Sequence, residues 1–242
     1  MKKLTYHEIY EEEYKDDKDV NFLFKELKSG THLEIGCGTG RILNGLAKRK
    51  DLKLYGIDVD KTALTIAKKK FKKKINIIHS PAEKFISKIK FDSIFFMFNG
   101  FMYLNDCQKK EFLKNSKKNL KKNGFLYISI FNPCKHRLEE KFPYYKFQKK
   151  IKVNKTEIKK FEYNLYNLKK QTVDRAFNYE YISRNNNLKR ITYEFKQYYL
   201  FKDQFLKILK LNKFHDVSIY GNFKKNNFDE LSPIILAKIK NK

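Results

Sequence analysis

Cysteine is scarce in this chain. Cys37, Cys107 and Cys134 are its only three, scattered without the C-x-x-C spacing of a zinc site or the density of a disulfide framework, which fits a reducing setting. Long apolar runs are missing too. No stretch approaches the roughly 18 residues a spanning helix needs, and the first residues carry no signal-peptide pattern, so the expectation is a cytoplasmic protein that spans no membrane. Arginine is rare: Arg41, Arg49, Arg137, Arg175, Arg184 and Arg190 are the full set, and lysine supplies the rest of the 54 basic residues. Against 27 acidic residues this gives a formal net charge of +27, a balance that suits phosphate neutralisation. The planar fork of arginine, however, is the expected tool for phosphate and base recognition. With no tryptophan, few glycines and prolines, and abundant Asn, Ile, Phe and Tyr, the composition reads as A+T-rich coding bias acting on solvated positions. Nucleic acid is therefore not the expected partner. The densest run, Lys68–Lys74, closes a helix, where cations favour the C-terminal end.

At 242 residues the chain suits one α/β domain with an elaboration. The most informative stretch is Leu33-Glu34-Ile35-Gly36-Cys37-Gly38-Thr39-Gly40. Thr31–Ile35 reads as a buried strand and Arg41–Lys48 as a helix, so the glycines fall at a strand-to-helix turn. Such a turn lets backbone approach a ligand, and the helix start offers free N–H donors. A second strand, Leu52–Ile57, ends at Asp58, where a carboxylate can accept both hydroxyls of a ribose. Spacing separates two cofactors. A dinucleotide fingerprint puts its third glycine where this chain has Arg41; here it comes one residue early, at Gly40.

The acidic residue followed by Gly-x-Gly-x-Gly resembles motif I of class I S-adenosylmethionine-dependent methyltransferases. Tyr55-Gly56-Ile57-Asp58-Val59-Asp60 resembles the family's second-strand motif. Phe91-Asp92-Ser93-Ile94 and Lys122-Asn123-Gly124-Phe125-Leu126 resemble the entries to its fourth and fifth strands. In order and at family spacing, these motifs cover residues 31 to 131. The resemblance implies a Rossmann-like sheet, mostly parallel with an antiparallel closing strand, that binds S-adenosylmethionine and releases S-adenosylhomocysteine. It also implies roles. Gly36, Gly38 and Gly40 would cradle the methionine part, and Glu34 would hold its amino group through water. Asp58 would bind the ribose and Val59 would press on adenine, with Ala82 and Glu83 along its edge. Asn99 would face the sulfonium. The family often has Asp where this chain has Pro81, so backbone or Glu83 must then meet the adenine amino group. Phe98-Asn99-Gly100-Phe101 is neither the Asn/Asp-Pro-Pro-aromatic motif of base-amine enzymes nor a Pro-Cys nucleophile. With Met102-Tyr103-Leu104 it is similar to the small-molecule branch, which includes glycine and amino-sugar N-methyltransferases.

The remaining chain is read from periodicity. Strands are expected at 31–35, 52–57, 75–79, 92–98 and 124–131, and helices at 40–49, 60–72 and 106–121, an alternation that implies a parallel sheet. Residues 1–29 read as a helical lid of two short helices. Residues 134–200 read as an inserted small antiparallel sheet, a substrate lid or a dimer contact. Its period-2 alternation runs from Phe161 to Leu200: Phe161, Tyr163 and Leu165 share one face, Val173, Phe177, Tyr179 and Tyr181 another, and Ile191, Tyr193 and Phe195 a third. Asn185–Asn187 is the expected turn. A helix at 202–213 and strands at 216–220 and 233–239 finish the domain, which spans 1–242.

Methyl transfer from a sulfonium needs alignment above all, and a base only where the acceptor must lose a proton. His7 and His136 lie where substrate should enter and are the candidate bases; His32, His79 and His215 read as structural. Tyr6, in the lid, is expected to contact the cofactor; Tyr10, Tyr198 and Tyr199 line the pocket or pack. Cys37 reads as packing, Asp60 as a helix cap, and no metal constellation is visible. The expected activity is methyl transfer to N or O of a small polar metabolite, such as a sugar or amino-sugar precursor, by a monomer or homodimer. The alternatives are an RNA or protein methyltransferase docking through its lysines, and an inactive cofactor-binding sensor.

Overall fold

In the computed structural model, which describes residues 4–134, 138–139, 142–183 and 185–242, the elements run in this order. Helices α1 (Tyr6–Glu13) and α2 (Lys18–Glu26) precede β1 (Gly30–Ile35), α3 (Arg41–Leu46), β2 (Leu52–Asp58), α4 (Lys61–Phe71) and β3 (Asn76–His79). Next come β4 (Phe91–Phe96), α5 (Asp106–Asn119) and β5 (Leu120–Phe131). Four strands follow, β6 (Phe142–Val153), β7 (Thr156–Asn167), β8 (Thr172–Ile182) and β9 (Leu188–Tyr198). The chain closes with α6 (Lys202–Leu211), β10 (Asp216–Tyr220) and β11 (Ile234–Lys240). These elements form two units: Asp17–Asn132 with Leu200–Lys242, and Met1–Asp16 with Pro133–Tyr199.

The larger unit is a seven-stranded sheet in the order β10-β11-β5-β4-β1-β2-β3. β1, β2, β3, β4 and β5 run parallel, while β11 is antiparallel to both β5 and β10. The apolar run Ile94–Phe96, with Phe91 and Ser93 also buried, makes β4 a strand buried on both faces, as a parallel sheet covered by helices requires. Leu43, Leu46, Leu64, Ala67 and Phe71 of α3 and α4 join Val20 and Leu23 of α2 in the core on one side. Chain order reverses between β1 and β4, and the carboxyl ends of strands at such a switch point are where open α/β sheets place ligands.

The smaller unit is a four-stranded antiparallel meander, β6-β7-β8-β9, with α1 on one face. Ile9 of α1 is fully buried in a cluster with Ile151, Val153, Ile158, Phe177 and Tyr179. Glu13 of α1 accepts hydrogen bonds from Lys160 Nζ at 2.7 Å and Tyr179 Oη at 2.8 Å, and Lys149 Nζ lies 3.1 Å away. Tyr6 stacks on Tyr193 at 4.2 Å between ring centroids. Thr5 and Glu8 form a capping box that starts the helix.

Three sequence expectations shift here. The antiparallel strands expected from Phe161 begin earlier, at Phe142, because β6 carries lysine on both faces, is exposed throughout residues 144–150 and is interrupted by a bulge between Phe147 and Lys149. The three faces expected in the insertion are two: Tyr179 pairs with Ile191 and Phe177 with Tyr193, so those two sets share one face. Helix α3 ends at Leu46, three residues short of the expected 49. The turn at Asn185–Asn187 does form, with Asn186 at φ +57° and its N–H donating to the Ser183 carbonyl. Among the described residues no helix is long and apolar enough to cross a membrane, and no group of three or more His, Cys, Asp or Glu side chains could hold a metal ion.

Candidate functional site

The carboxyl ends of β1, β2, β3 and β4 carry most of the candidate residues. The loop after β1 has Gly36, Gly38 and Gly40 at φ +68°, +52° and +84°, the left-handed region that side chains disfavour. The three serve different ends. A Cβ on Gly40 would lie 2.4 Å from the Phe71 ring, so this glycine lets α3 pack on α4. A Cβ on Gly38 would meet nothing within 4 Å, so bare backbone faces open space there. Cys37 between them is 5% exposed, and burial pushes its thiol far up from the ordinary range, which leaves packing as its role.

Asp58, at the end of β2, is bound into this loop. Its Oδ2 accepts the Gly38 N–H at 2.7 Å and its Oδ1 accepts the Asp60 N–H at 2.8 Å. The carboxylate therefore has a set orientation with a second lone pair free on each oxygen. Asp60 caps α4 through the N–H groups of Thr62 and Ala63, as expected. Val59 between them is 61% exposed, an apolar surface beside the carboxylate. His79 Nε2 lies 3.1 Å from the Val59 carbonyl and the Ser80 N–H donates to the Asp58 carbonyl at 3.0 Å, which holds the β3 end against this segment. Ala82 and Glu83 form a short 3₁₀ turn just beyond. There Gln108 Nε2 donates to Glu83 Oε1 at 3.2 Å and Asn115 Nδ2 to the Glu83 carbonyl at 2.7 Å.

Glu34 lies under the glycine loop, 4% exposed. Burial drives its carboxyl well above the ordinary range, opposed by the Arg41 guanidinium. Its Oε2, like Oγ1 of Thr39, is buried without a hydrogen-bond partner. A buried, unpartnered carboxylate oxygen costs the fold unless a donor arrives, so Glu34 fits a ligand cation or its bridging water.

After β4, Phe98 and Asn99 both adopt left-handed backbone, at φ +53° and +64°. Ser129 of β5 pins them: its Oγ accepts the Phe98 N–H at 3.0 Å and its carbonyl accepts the Asn99 N–H at 3.1 Å. Adjacent non-glycine residues in this region cost about 1–2 kcal/mol each, and such strain clusters at ligand sites. Arg41, the first residue of α3, lies 5.5 Å from the Phe98 ring centroid and is ion-paired to buried Asp19 of α2.

Sequence reading had no signal for the roles of Asp19, Ser129, Gln108 or Asn115. Each acts on a partner at least 22 residues away, and no local pattern marks such a pairing. His32 is fully buried, its Nε2 3.0 Å from the Lys28 carbonyl, and burial lowers its basicity; its structural reading holds. Tyr6 and His7 lie on α1 in the smaller unit, where Tyr6 also meets the His7 ring edge at 5.7 Å. His136 lies outside the described residues.

A family model described as a methyltransferase domain matches residues 33–124. The match begins inside β1, at Leu33, and runs through the glycine loop, Asp58 and β4 into β5. Over 111 residues the chain is 37% identical to the ubiquinone biosynthesis O-methyltransferase of Pelagibacter ubique (strain HTCC1062), a stretch covering 45% of either chain. The chain thus spans about half the length of that curated relative. Solved structures share the fold across the whole chain. An S-adenosylmethionine-dependent methyltransferase from Clostridium acetobutylicum ATCC 824 superposes with a TM-score of 0.78 at 16% identity, over 97% of this chain and 95% of that one. CalS10, an amino pentose methyltransferase from Micromonospora echinaspora, gives 0.79 at 12% identity over 100% of both. The seven-stranded sheet of the larger unit, with its closing β10–β11 pair, thus has the architecture of class I methyltransferase structures, and the antiparallel meander is a separate sheet.

Proposed function

We propose that the chain is an S-adenosylmethionine-dependent methyltransferase that methylates N or O of a small polar metabolite, such as a sugar or amino-sugar precursor. The observation that carries the reading is the Asp58 carboxylate, oriented by the Gly38 N–H at 2.7 Å beside an exposed Val59 and above a buried Glu34 with an orphaned oxygen. A ribose, an adenine face and an ammonium group need those three features in that neighbourhood. When bound, the cofactor supplies an electrophilic methyl on a sulfonium. The chain's residues orient and shield: the glycine loop offers backbone to the methionine part, and the strained Phe98–Asn99 turn puts polar backbone at the end of β4. Alignment of this kind supplies most of the acceleration of such a transfer. His7 or His136 serves as base where the acceptor must shed a proton. Tyr6 belongs to the same reading as a cofactor contact.

The small-molecule acceptor is supported by the similar structures, among them the amino pentose enzyme, and by the lack of a base-gripping motif after β4. The curated relative is an O-methyltransferase, so the atom methylated stays N or O. Transfer of labelled methyl to a small-metabolite extract, with none to total RNA or protein, tests the reading. Labelling of RNA or protein instead would assign the +27 charge to docking. Cofactor binding with no turnover on any extract would leave a sensor.

A further inference from the structure

Arg41 is the first residue of α3, and two buried acids draw on its charge. Asp19 of α2 holds both its arms: Nη1 donates to Oδ1 at 2.9 Å and Nη2 to Oδ2. The Val20 N–H, 2.8 Å from Oδ1, orients the Asp19 carboxylate, which is 4% exposed. The Phe98 ring centroid lies 5.5 Å from the same guanidinium. Glu34 is the second acid. Among the charges around it Arg41 acts most strongly, and the N–H of Leu43, in the same turn of α3, also favours its ionised form. Even so, Glu34 Oε2 has no hydrogen-bond partner. All of these residues belong to the larger unit.

The pairing decides what Glu34 can bind. Asp19 and Asp58 oppose its ionisation, Cys37 is a neutral thiol, and the Arg41 charge is largely cancelled by Asp19, so burial prevails and the ligand-free carboxyl keeps its proton. Without the Asp19 charge, a guanidinium that is always ionised would be left buried and uncompensated. It would then turn to Glu34, ionise it and occupy the oxygen that an ammonium group needs. Stability alone is a weak reason for such a pair, because a buried ion pair contributes little more than apolar packing of the same volume. We infer, resting on the cofactor site proposed above, that Asp19 is a positioning residue: by holding both arms of Arg41 it keeps the guanidinium off Glu34, so that Oε2 stays open to the ammonium group of the cofactor or its bridging water. Ligand binding then ionises Glu34, and the proton leaves to solvent.

Calorimetric titration of the full chain with S-adenosylhomocysteine, which carries that ammonium group, reads affinity and proton release together when run in buffers of different ionisation enthalpy. The wild type should bind and release a proton. Asp19→Asn should weaken binding roughly 10- to 100-fold, the worth of one charged hydrogen bond. It should also abolish the proton release, since Arg41 has already ionised Glu34. Adding Arg41→Met removes the competitor and should restore proton release, with affinity back to within about threefold of wild type. A merely structural role for Asp19 would lower the melting temperature and leave the proton release of the folded chain unchanged. Arg41→Lys keeps the charge but gives up the two-armed grip, so it should lose at least about threefold in affinity and part of the proton release; it decides the matter if Asp19→Asn does not fold. A folded Asp19→Asn or Arg41→Lys chain that retains full proton release overturns the inference, whatever its affinity. So does a double variant that binds as poorly as Asp19→Asn. A folded wild type that binds no S-adenosylhomocysteine removes the cofactor site itself, and the role of Asp19 with it.

Discussion

Replacing Asp58 by alanine is the sharpest perturbation of the proposed cofactor site. Its two oxygens are oriented by the N–H groups of Gly38 and Asp60 at 2.7 and 2.8 Å, and each keeps a lone pair for one ribose hydroxyl. Hydrogen bonds to a charged group contribute about 1.5–3 kcal/mol each, so losing two costs about 3–6 kcal/mol. Binding in the micromolar range is about −8 kcal/mol, and every 1.4 kcal/mol is tenfold. Asp58→Ala should thus weaken S-adenosylhomocysteine by roughly 10²- to 10⁴-fold, enough to flatten a calorimetric titration. Asp58→Asn keeps one acceptor oxygen but turns an amide NH₂ toward one of the two backbone N–H donors, so an intermediate loss is expected. Circular dichroism and a melting curve on each variant separate lost contact from lost fold. Asp58→Ala binding S-adenosylhomocysteine within threefold of wild type would refute the assignment of this carboxylate to a ribose, and tight NAD binding without S-adenosylhomocysteine binding would refute the cofactor.

Burial raises the Glu34 carboxyl above its ordinary value of 4.5, so the folded chain holds that proton more tightly than the unfolded chain. Ligand-free stability should therefore decline as pH rises above that value, and Glu34→Gln should flatten the decline in melting curves while weakening cofactor affinity. Calorimetry in buffers of different ionisation enthalpy should also show wild type releasing a proton on cofactor binding, and Glu34→Gln releasing none. In the smaller unit, Glu13→Ala strands the buried Lys160 ammonium and should cost about 3–5 kcal/mol in denaturant unfolding of that unit; Glu13→Gln, which retains an acceptor, should cost less. His7→Ala or His136→Ala should lower the methylation rate about 100-fold at unchanged cofactor affinity if that residue is the base, whereas full activity of both across the pH profile would leave positioning to carry the reaction.

What the sequence by itself determined is local and periodic. The glycine spacing is legible because backbone without Cβ adopts the left-handed φ of +52° to +84° at Gly36, Gly38 and Gly40 with least strain. Apolar runs such as Ile94–Phe96 mark buried parallel strands, and Asp60 marks a helix start, because these depend on residues a few positions apart. The lysine-rich β6 escaped, since a strand with lysine on both faces and a bulge keeps too little alternation to be seen. Only the tertiary structure decided what each candidate touches. The Asp58–Gly38 bond spans 20 residues, Ser129 pins Phe98 across 31, and Glu13 neutralises Lys160 across 147. It also parted the two short N-terminal helices, α1 going to the meander and α2 to the larger sheet. Ion pairs and orphaned oxygens are properties of proximity, and proximity between distant residues arises only when the sheet sets strands at about 4.8 Å from one another. Periodicity tells which face of a strand is apolar; packing alone decides which of those faces is left bare.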